Sequence, residues 1–240
     1  MTTYKYKYKR VLLKLTGELF GFENGKGINF SSYDTISKIL VNLVRKTKVE
    51  LVVVIGGGNI FRGREKDSRV DEATADYMGM MATVINGLGF QEAIERNGGT
   101  TRMMTAFEVK AVAEPFVRRR AIRHLGKGHI VILSAGIGSP FFTTDTGAAL
   151  RAAELKCDVL LKASNVDGVY SSDPKKNSKA TKFEKLTFDE TISKNLKIMD
   201  TSAFQICKEK NIPVTVFNIN KLDSLEDILK GKTIGTLITN

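Results

Sequence analysis

Short runs rich in Val, Ile and Leu alternate with longer amphipathic stretches along this chain, and the alternation limits the folds open to it. Residues 51–55 form the clearest apolar strand, whereas residues 36–44 carry apolar side chains at helical spacing. Parallel strands that are buried on both faces have such continuous apolar runs, and they require helical crossovers. The pattern therefore predicts an α/β protein, a three-layer α/β/α sandwich with a mostly parallel central sheet.

The same pattern predicts where the elements lie. Strands are predicted at residues 10–15, 51–55, 101–105, 130–134, 159–162, 212–217 and 233–239. Helices are predicted at residues 31–46, 71–96, 108–124, 145–156, 188–210 and 224–229. Ser31 or Ser32 is the expected cap of the first helix. Breaks within helices are expected near Gly87 or Gly89, at Pro115 and near Asp200.

The length and composition indicate one domain with an anionic partner. A domain typically has about 100–200 residues, and 240 residues without a low-complexity linker or repeat predict a single domain at residues 10–240 after a basic tail at residues 1–9. Lys and Arg outnumber Asp and Glu by 37 to 26, a net charge of +11. Nucleic acid, an acidic membrane and small phosphorylated ligands all fit that charge.

Several classes of protein are excluded by simple counts. The two cysteines have no paired spacing and the two histidines have no companion cluster, so neither a disulfide framework nor a zinc site is expected. No apolar run approaches the roughly 20 residues that span a bilayer. The basic N-terminus lacks the apolar core of a signal peptide. A cytoplasmic protein is the resulting expectation.

Glycine-rich turns after strands bind phosphates, because backbone N–H groups face the anion there. A dinucleotide fingerprint that starts at Gly56 fails, since its last glycine position is Phe61. A Walker A loop that ends at Lys232 and Thr233 also fails, since its first glycine position is Glu226. The His-Arg-Asp triplet of protein kinases is absent as well.

Three other segments are candidates for a phosphate site. Lys14 ends the first strand, although extension into solvent explains a lone lysine there better. Residues 56–58 are three consecutive glycines, followed by Arg62, which suits a phosphate. Residues 134–145 read Ser-Ala-Gly-Ile-Gly-Ser-Pro-Phe-Phe-Thr-Thr-Asp and lead into a predicted helix. Capping of that helix is the alternative role of Thr144 or Asp145, and packing is the expected role of the two phenylalanines.

These segments, in this order, resemble the bacterial uridylate kinases of the amino-acid-kinase family. Further similar segments are residues 76–80, 162–170, 172–174, 216–218 and 235–239. The resemblance runs from about residue 9 to the C-terminus, and residues 138–145 are its most specific part. It implies the amino-acid-kinase fold, with an acceptor-binding half at about residues 10–157 and an ATP-binding half at about residues 158–240.

The implied reaction is transfer of the γ-phosphoryl group of ATP to UMP, giving UDP and ADP, in pyrimidine nucleotide biosynthesis. ATP and Mg²⁺ are the implied cofactors, and a homohexamer is the implied assembly. Mg²⁺ would be bound mainly by the ATP phosphates, so no metal ligand from the protein is expected. The acceptor phosphate is already largely dianionic at neutral pH, because its second pKa is about 6, and it needs no general base.

The resemblance also implies roles for individual residues. Its candidate catalytic residues are Lys14, which would reach the transferred phosphoryl group, Asp145, which would orient Lys14 or help place Mg²⁺, and Asp200. The ATP side would consist of Lys14, Leu15, Thr16, Gly17, Gly58, Arg62, Ser164, Asn165, Tyr170 and Asp173. The UMP side would consist of Gly57, Asp76, Ile137, Gly138, Ser139, Pro140, Phe141, Phe142, Thr143 and Thr144. Asp167 and Asp173 are equally well explained as turn residues.

Two departures and two alternatives accompany this interpretation. Where the bacterial uridylate kinases usually have Thr, this chain has Ile137, and where they usually have an aromatic residue, it has Lys26.

An amino-acid kinase that phosphorylates a carboxylate is the alternative enzyme. A nucleic-acid-binding regulator is the alternative outside enzymes, motivated by the arginines at 118–120 and 123, but a solvated helix face or an oligomer contact explains those arginines better.

Overall fold

A computed structural model of the chain describes residues 5–63, 69–174, 176–177, 179–196 and 198–240. Its strands are β1 (Arg10–Leu15), β2 (Glu50–Ile55), β3 (Thr101–Thr105), β4 (Glu114–Pro115), β5 (Ile130–Ser134), β6 (Val159–Ser164), β7 (Val169–Tyr170), β8 (Lys182–Phe183), β9 (Lys185–Thr187), β10 (Val214–Asn218) and β11 (Thr236–Thr239). Its α-helices are α1 (Phe30–Thr47), α2 (Glu72–Arg96), α3 (Arg118–Gly126), α4 (Thr144–Leu155), α5 (Phe188–Ser193), α6 (Thr201–Glu209) and α7 (Leu225–Leu229). Short 3-10 helices span Gly17–Phe20 and Ile219–Ser224.

Nine strands of the described chain form one sheet in the order β4-β3-β5-β2-β1-β6-β10-β11-β9. The β10–β11 pair is antiparallel, and the other neighbouring pairs of this sheet are parallel. The short strands β7 and β8 form a separate antiparallel hairpin, which the sequence analysis missed together with β4 and β9. The predicted mostly parallel sheet is confirmed.

Helices cover both faces of the sheet, as a three-layer sandwich requires. Val11, Leu13 and Leu15 of β1 point into one apolar core, which α1, α2 and α7 complete. Leu12 points into the opposite core, which α3, α4, α5 and α6 complete. This alternation follows from the period of two along a strand, and it explains why Val11, Leu12, Leu13 and Leu15 are all apolar.

Two predictions about the first two helices were wrong. Asn29, not Ser31 or Ser32, caps α1, and its side chain accepts a hydrogen bond from the Ser31 N–H at 3.1 Å. Helix α2 continues without a break through Gly87 and Gly89. These glycines serve close packing instead, since a Cβ atom at Gly87 would lie 2.5 Å from Ser134 Oγ.

The predicted helix at residues 108–124 was also largely wrong. Glu114 and Pro115 form the edge strand β4, and the helix begins only at Arg118. Proline cannot donate to a sheet, so a strand that contains it is confined to an edge. The predicted break near Asp200 is confirmed, because α5 ends at Ser193 and α6 starts at Thr201.

Residues 5–9 of the predicted basic tail lie against the fold. The Tyr8 side chain is buried, and the Lys7 N–H donates to the Leu229 carbonyl at 2.8 Å. Since β1 of the proposed acceptor half pairs with β6 of the proposed ATP half, a single sheet runs through both halves. None of the described helices is both long and apolar enough to cross a membrane.

Candidate functional site

The carboxyl edge of the sheet gathers most of the residues that the sequence analysis singled out. Strands β1, β2, β5 and β6 are parallel, so the loops that follow them meet at this edge. Open α/β sheets bind their ligands in a crevice at the carboxyl ends of their strands. A cavity of about 450 Å³ between Arg45, Lys48 and Lys127 lies at the opposite edge and contains none of the predicted site residues.

Two lysines and one aspartate form the centre of the crevice. Lys14 and Lys162 are register partners on the adjacent strands β1 and β6. Asp145, in the first turn of α4, lies between them, with its Oδ1 3.2 Å from Lys14 Nζ and its Oδ2 in contact with Lys162 Nζ. Lys162 also donates to the Ile198 carbonyl. The cluster, which we call the Lys-Asp-Lys cluster, carries a net charge of +1 when all three groups are ionised.

Burial and charge act against each other within the Lys-Asp-Lys cluster. Burial alone would raise the pKa of Asp145, but the ammonium groups of Lys14 and Lys162 outweigh it and hold that pKa below its usual range. Burial lowers the pKa of Lys162, and nearby Lys14 lowers it further, although Asp145 opposes both effects. Asp145 is therefore ionised at neutral pH, and it compensates two cations in a largely buried place.

The three glycines after β2, Gly56–Gly58, are called the glycine loop here, and they pass between two other elements. A Cβ atom at Gly17, which begins the 3-10 helix after β1, would lie 2.5 Å from Gly58 N. A Cβ atom at Gly57 would lie 2.8 Å from the Gly79 carbonyl on α2. The chain thus needs glycine here because backbones approach closely.

Arg62 follows the glycine loop and joins the two sides of the crevice. Its Nε donates to the Gly58 carbonyl at 3.0 Å, and its guanidinium is paired with Glu18 of the 3-10 helix. Glu18 Oε2 in turn accepts from Asn165 Nδ2 at 2.8 Å, in the loop after β6. Glu18 was missed from the sequence, where it looked like an ordinary acidic residue.

The segment after β5 turns sharply before it reaches α4. Ala135, Gly136 and Gly138 have φ angles of 64°, 56° and 87°, in the left-handed region. The Ala135 N–H donates to Thr83 Oγ1 on α2 at 2.7 Å. Ile137–Thr144 is called the acceptor loop here, and Gly138, Ser139 and Pro140 lie in its first half. A contact with α2 therefore fixes the segment that leads into the acceptor loop.

Asp76 and two phenylalanines lie along the acceptor loop. Asp76 Oδ2 accepts from the Phe141 N–H at 2.7 Å, so this candidate ribose ligand also holds the loop. The expectation that the phenylalanines pack was wrong, because Phe141 is 68% exposed and Phe142 is 53% exposed. Phe141 has a φ angle of 70°, which is uncommon for a bulky residue.

Thr143 connects the acceptor loop to the other half of the molecule. It caps α4, accepting from the N–H groups of Asp145 at 3.2 Å and Thr146 at 3.4 Å, so the prediction that Thr144 or Asp145 is the cap was wrong. Its hydroxyl also donates to the carboxylate of Asp200, which accepts from the Thr146 hydroxyl at 3.3 Å. Asp200 thus contacts the cap residue of α4, and it forms an ion pair with neither Lys14 nor Lys162.

The candidate adenosine residues lie at and after the end of β6. Ser164 ends that strand, and Tyr170 in β7 donates from its hydroxyl to Asp167 at 2.6 Å. Asp167 also pairs with Lys182 in β8 at 3.0 Å. The Asp173 carbonyl accepts two backbone N–H groups within the following turn. Both aspartates therefore contribute to the structure of the hairpin, as the turn interpretation allows.

Lys162 is the most important residue that the sequence analysis did not assign to the site. It lies at the same register on β6 as Lys14 on β1, and it also lies near the end of an apolar strand. The signal used for Lys14 could have identified it. No group of three or more His, Cys, Asp or Glu side chains that could hold a metal ion occurs among the described residues.

Residues 9–218 match the sequence profile of the amino acid kinase family, which covers most of the chain. The chain belongs to the amino acid kinase family. Among solved structures it is similar to UMP kinase from Bacillus anthracis, with 37% identity, coverage of 97% of this chain and 96% of the other, and a TM-score of 0.92. It is also similar to UMP kinase from Ureaplasma parvum, with 35% identity, coverage of 98% and 100%, and a TM-score of 0.91. The amino-acid-kinase fold of this kinase is thereby confirmed.

Proposed function

We propose that this protein is a nucleoside monophosphate kinase that transfers the γ-phosphoryl group of ATP to UMP, giving UDP and ADP, in pyrimidine nucleotide biosynthesis. The observation that carries the proposal is the Lys-Asp-Lys cluster, at the edge of the sheet where the glycine loop and the acceptor loop also lie. Similarity over nearly the whole chain to two UMP kinases supports the choice of acceptor.

The chemistry requires positioning and charge neutralisation rather than proton abstraction. A non-bridging oxygen of the UMP phosphate forms a bond to the γ-phosphorus of ATP. The bond from that phosphorus to the bridging oxygen breaks, and its electron pair stays with ADP. Lys14 and Lys162 would neutralise charge on the transferred group and the leaving oxygens, where electrostatic stabilisation is the main source of catalysis. Asp145 would hold the two ammonium groups at a fixed separation.

The two nucleotides would occupy opposite sides of the Lys-Asp-Lys cluster. The proposed UMP side consists of Gly57, Asp76 and the acceptor loop, with the Thr144 hydroxyl and backbone groups of the loop reading the base. Residues proposed for the ATP side are Lys14, Leu15, Thr16, Gly17, Gly58, Arg62, Ser164, Asn165, Tyr170 and Asp173. Arg62 lies next to the glycine loop, and its planar guanidinium suits a phosphate.

Magnesium enters the proposal as part of the substrate MgATP. Both carboxylate oxygens of Asp145 face lysine ammonium groups, so this residue does not fit the role of a magnesium ligand. Mg²⁺ usually keeps several waters and is bound through substrate phosphates with one or two carboxylates. No catalytic step of the proposal therefore depends on a metal held by the protein.

A homo-oligomer, with the homohexamer implied by the family resemblance as its expected form, is part of the proposal. It is supported by exposed apolar side chains along the outer face of α2, called the α2 stripe: Tyr77, Met78, Met81, Ile85 and Leu88. Apolar residues on both the inner and the outer face are typical of a helix that is covered on both sides. A cytoplasmic location stays a prediction from the sequence.

A coupled assay of ADP release with MgATP and UMP tests the proposed function. We expect turnover with UMP to exceed turnover with CMP or acetylglutamate. Lys14→Ala should lose most activity, about 100-fold or more in kcat, because a charge facing the transferred group disappears. UMP should still bind this variant in calorimetry. No turnover of UMP by the wild type, or an unchanged kcat in Lys14→Ala, would contradict the assignment.

A further inference from the structure

Two carbonyl groups of the glycine loop are bonded by the residues that follow it. The Gly57 carbonyl accepts from the N–H groups of Ile60 and Phe61, each at 3.0 Å. The Gly58 carbonyl accepts from Arg62 Nε at 3.0 Å. In a planar trans peptide the N–H points away from the C=O, so each bond also fixes the direction of the N–H that follows. The loop's N–H groups are what a phosphate would contact.

The third carbonyl of the loop is held by a different element. Asn86, fully buried on the inner face of α2, donates from Nδ2 to the Gly56 carbonyl at 2.8 Å. Because the Gly56 carbonyl and the Gly57 N–H share one peptide plane, this bond orients the N–H that begins the central glycine. Among the described residues, the N–H groups of Gly57 and Gly58 have no hydrogen-bond acceptor.

Asn86 is itself held in one orientation. Its Nδ2 also donates to Asn59 Oδ1 at 2.7 Å, and its Oδ1 accepts from Asn59 Nδ2 at 3.1 Å and from the Tyr33 hydroxyl at 2.8 Å. An amide has two donor and two acceptor positions, and all four are used here. A flipped amide would face Gly56 and Asn59 with the wrong groups, so the network permits only one arrangement.

Asn59 and Tyr33, the other two residues of this network, attach it to the rest of the fold. Asn59 is buried, and its Nδ2 also donates to the Gly27 carbonyl at 2.8 Å. Tyr33 is on α1, and its buried ring lies 4.7 Å from the ring of Phe20, centroid to centroid. Burial raises the pKa of Tyr33 to about 12, so its hydroxyl stays a donor at neutral pH. The glycine loop is thus connected to both α1 and α2.

We propose that Asn86, supported by Asn59 and Tyr33, is a positioning residue that orients the Gly57 N–H of the glycine loop toward the phosphates. The inference rests on the proposed function, because its kinetic test measures turnover of UMP. Its structural test, the hydrogen exchange of the glycine loop, depends only on the hydrogen-bond network. Satisfied buried polar networks make a structure rigid, and here the rigid part is the loop nearest the proposed phosphates. Asn86 acts through the loop and touches no substrate.

The kinetic test compares Asn86→Ala with Thr101→Val. Thr101 is also fully buried, and its hydroxyl donates to the Ile130 carbonyl at 2.7 Å, at the opposite edge of the sheet. Both variants lose buried hydrogen bonds, so both should have lower melting temperatures. We expect kcat to fall about 100-fold in Asn86→Ala, with KM for UMP changed less than about threefold, because small displacements of positioned groups reduce turnover strongly. Thr101→Val should keep the wild-type kcat.

A second variant and a second measurement complete the test. Tyr33→Phe removes one hydrogen bond on the far side of the amide, and should lower kcat several-fold without preventing folding. Hydrogen exchange of a peptide covering residues 56–61, in nucleotide-free protein, should be faster in both network variants than in Thr101→Val. A wild-type-like kcat in folded Asn86→Ala or in Tyr33→Phe, or unchanged exchange, would overturn the positioning role. Inactivity of the wild type with UMP would instead refute the proposed function, and exchange would still test the network.

Discussion

Asp145 is one anion between two cations, and its charge determines how the site responds to pH. Its pKa is lowered in the folded protein by Lys14 and Lys162, against the effect of burial. A carboxylate with a lowered pKa contributes stability above its unfolded pKa, about 3.9, and loses it as pH falls through the folded value. Near neutral pH, Asp145 therefore contributes fully to the stability of the cluster.

Asp145→Asn should harm turnover more than folding. Without the carboxylate, Lys14 and Lys162 repel each other, and the pKa of Lys162, already lowered by burial, should fall further. We expect kcat to fall about 100-fold at pH 7 and the alkaline limb of its pH profile to move to lower pH. The measurements are the pH dependence of kcat and the melting temperature. A wild-type profile, or an unfolded variant that MgATP does not restore, would contradict this prediction.

Single residues were predicted from the sequence where they follow an apolar strand or lie in an unusual glycine run. Lys14 and Gly57 have such local signals. Lys162 has the same signal as Lys14, but only the parallel register of β1 and β6 places the two together. Asn86 has no local signal at all, since a lone Asn inside a helix gives no indication that its amide bonds a loop 30 residues earlier in the chain.

At the scale of elements, the helix cap of α4 links folding to the site. The Thr143 hydroxyl accepts from the first turn of α4 and donates to Asp200 at the start of α6. Thr143→Val keeps the shape and removes the hydroxyl, so it should cost about 1 kcal/mol of unfolding free energy, as other cap losses do. It should also raise KM for UMP, because the lost hydrogen bonds hold the second half of the acceptor loop.

Urea unfolding and steady-state kinetics measure both effects of Thr143→Val. Thr143→Ser keeps the hydroxyl and is the matched control, which should retain the wild-type free energy of unfolding. Should Thr143→Ser lose as much unfolding free energy and raise KM as much as Thr143→Val, keeping the hydroxyl would not preserve the wild-type behaviour, and the prediction that its hydrogen bonds carry the effect would be wrong.

Elements with strong periodicity were predicted well, and elements decided by tertiary contacts were not. Strands such as residues 51–55 are apolar throughout because helices cover both faces of the sheet. The helix predicted before α3 was wrong, because the pairing of β4 with β3 overrides the helical pattern around Pro115. Glycines in α2 suggested a break, whereas close packing against Ser134 explains Gly87.

For the whole molecule, α2 connects the site with the surface. Its inner face contacts the glycine loop and the segment after β5 through Asn86 and Thr83, whereas its outer face carries the α2 stripe. The net charge of +11 is explained only in small part by the site, whose central cluster contributes +1. The four arginines at 118–120 and 123 are exposed, as a solvated helix face predicts.

The α2 stripe should be covered by a second copy of the chain. Met78, Met81, Ile85 and Leu88 are spaced three, four and three residues apart, so they lie on one side of the helix over about 15 Å. A stripe of this kind can pair with the same stripe of a second copy across a two-fold axis. Light scattering after gel filtration should therefore give the wild type a mass well above the 26.5 kDa of one chain.

Ile85→Lys should lower that mass, because it places a charge in the middle of the stripe, where the copies of a chain that is already +11 would meet. Gln205→Lys, at an exposed position on α6, adds the same charge away from the stripe and should keep the wild-type mass. Since the inner face of α2 orients the glycine loop, kcat of Ile85→Lys should fall with the mass. A monomeric wild type, or an Ile85→Lys variant with unchanged mass, would show that the stripe is not the contact between copies.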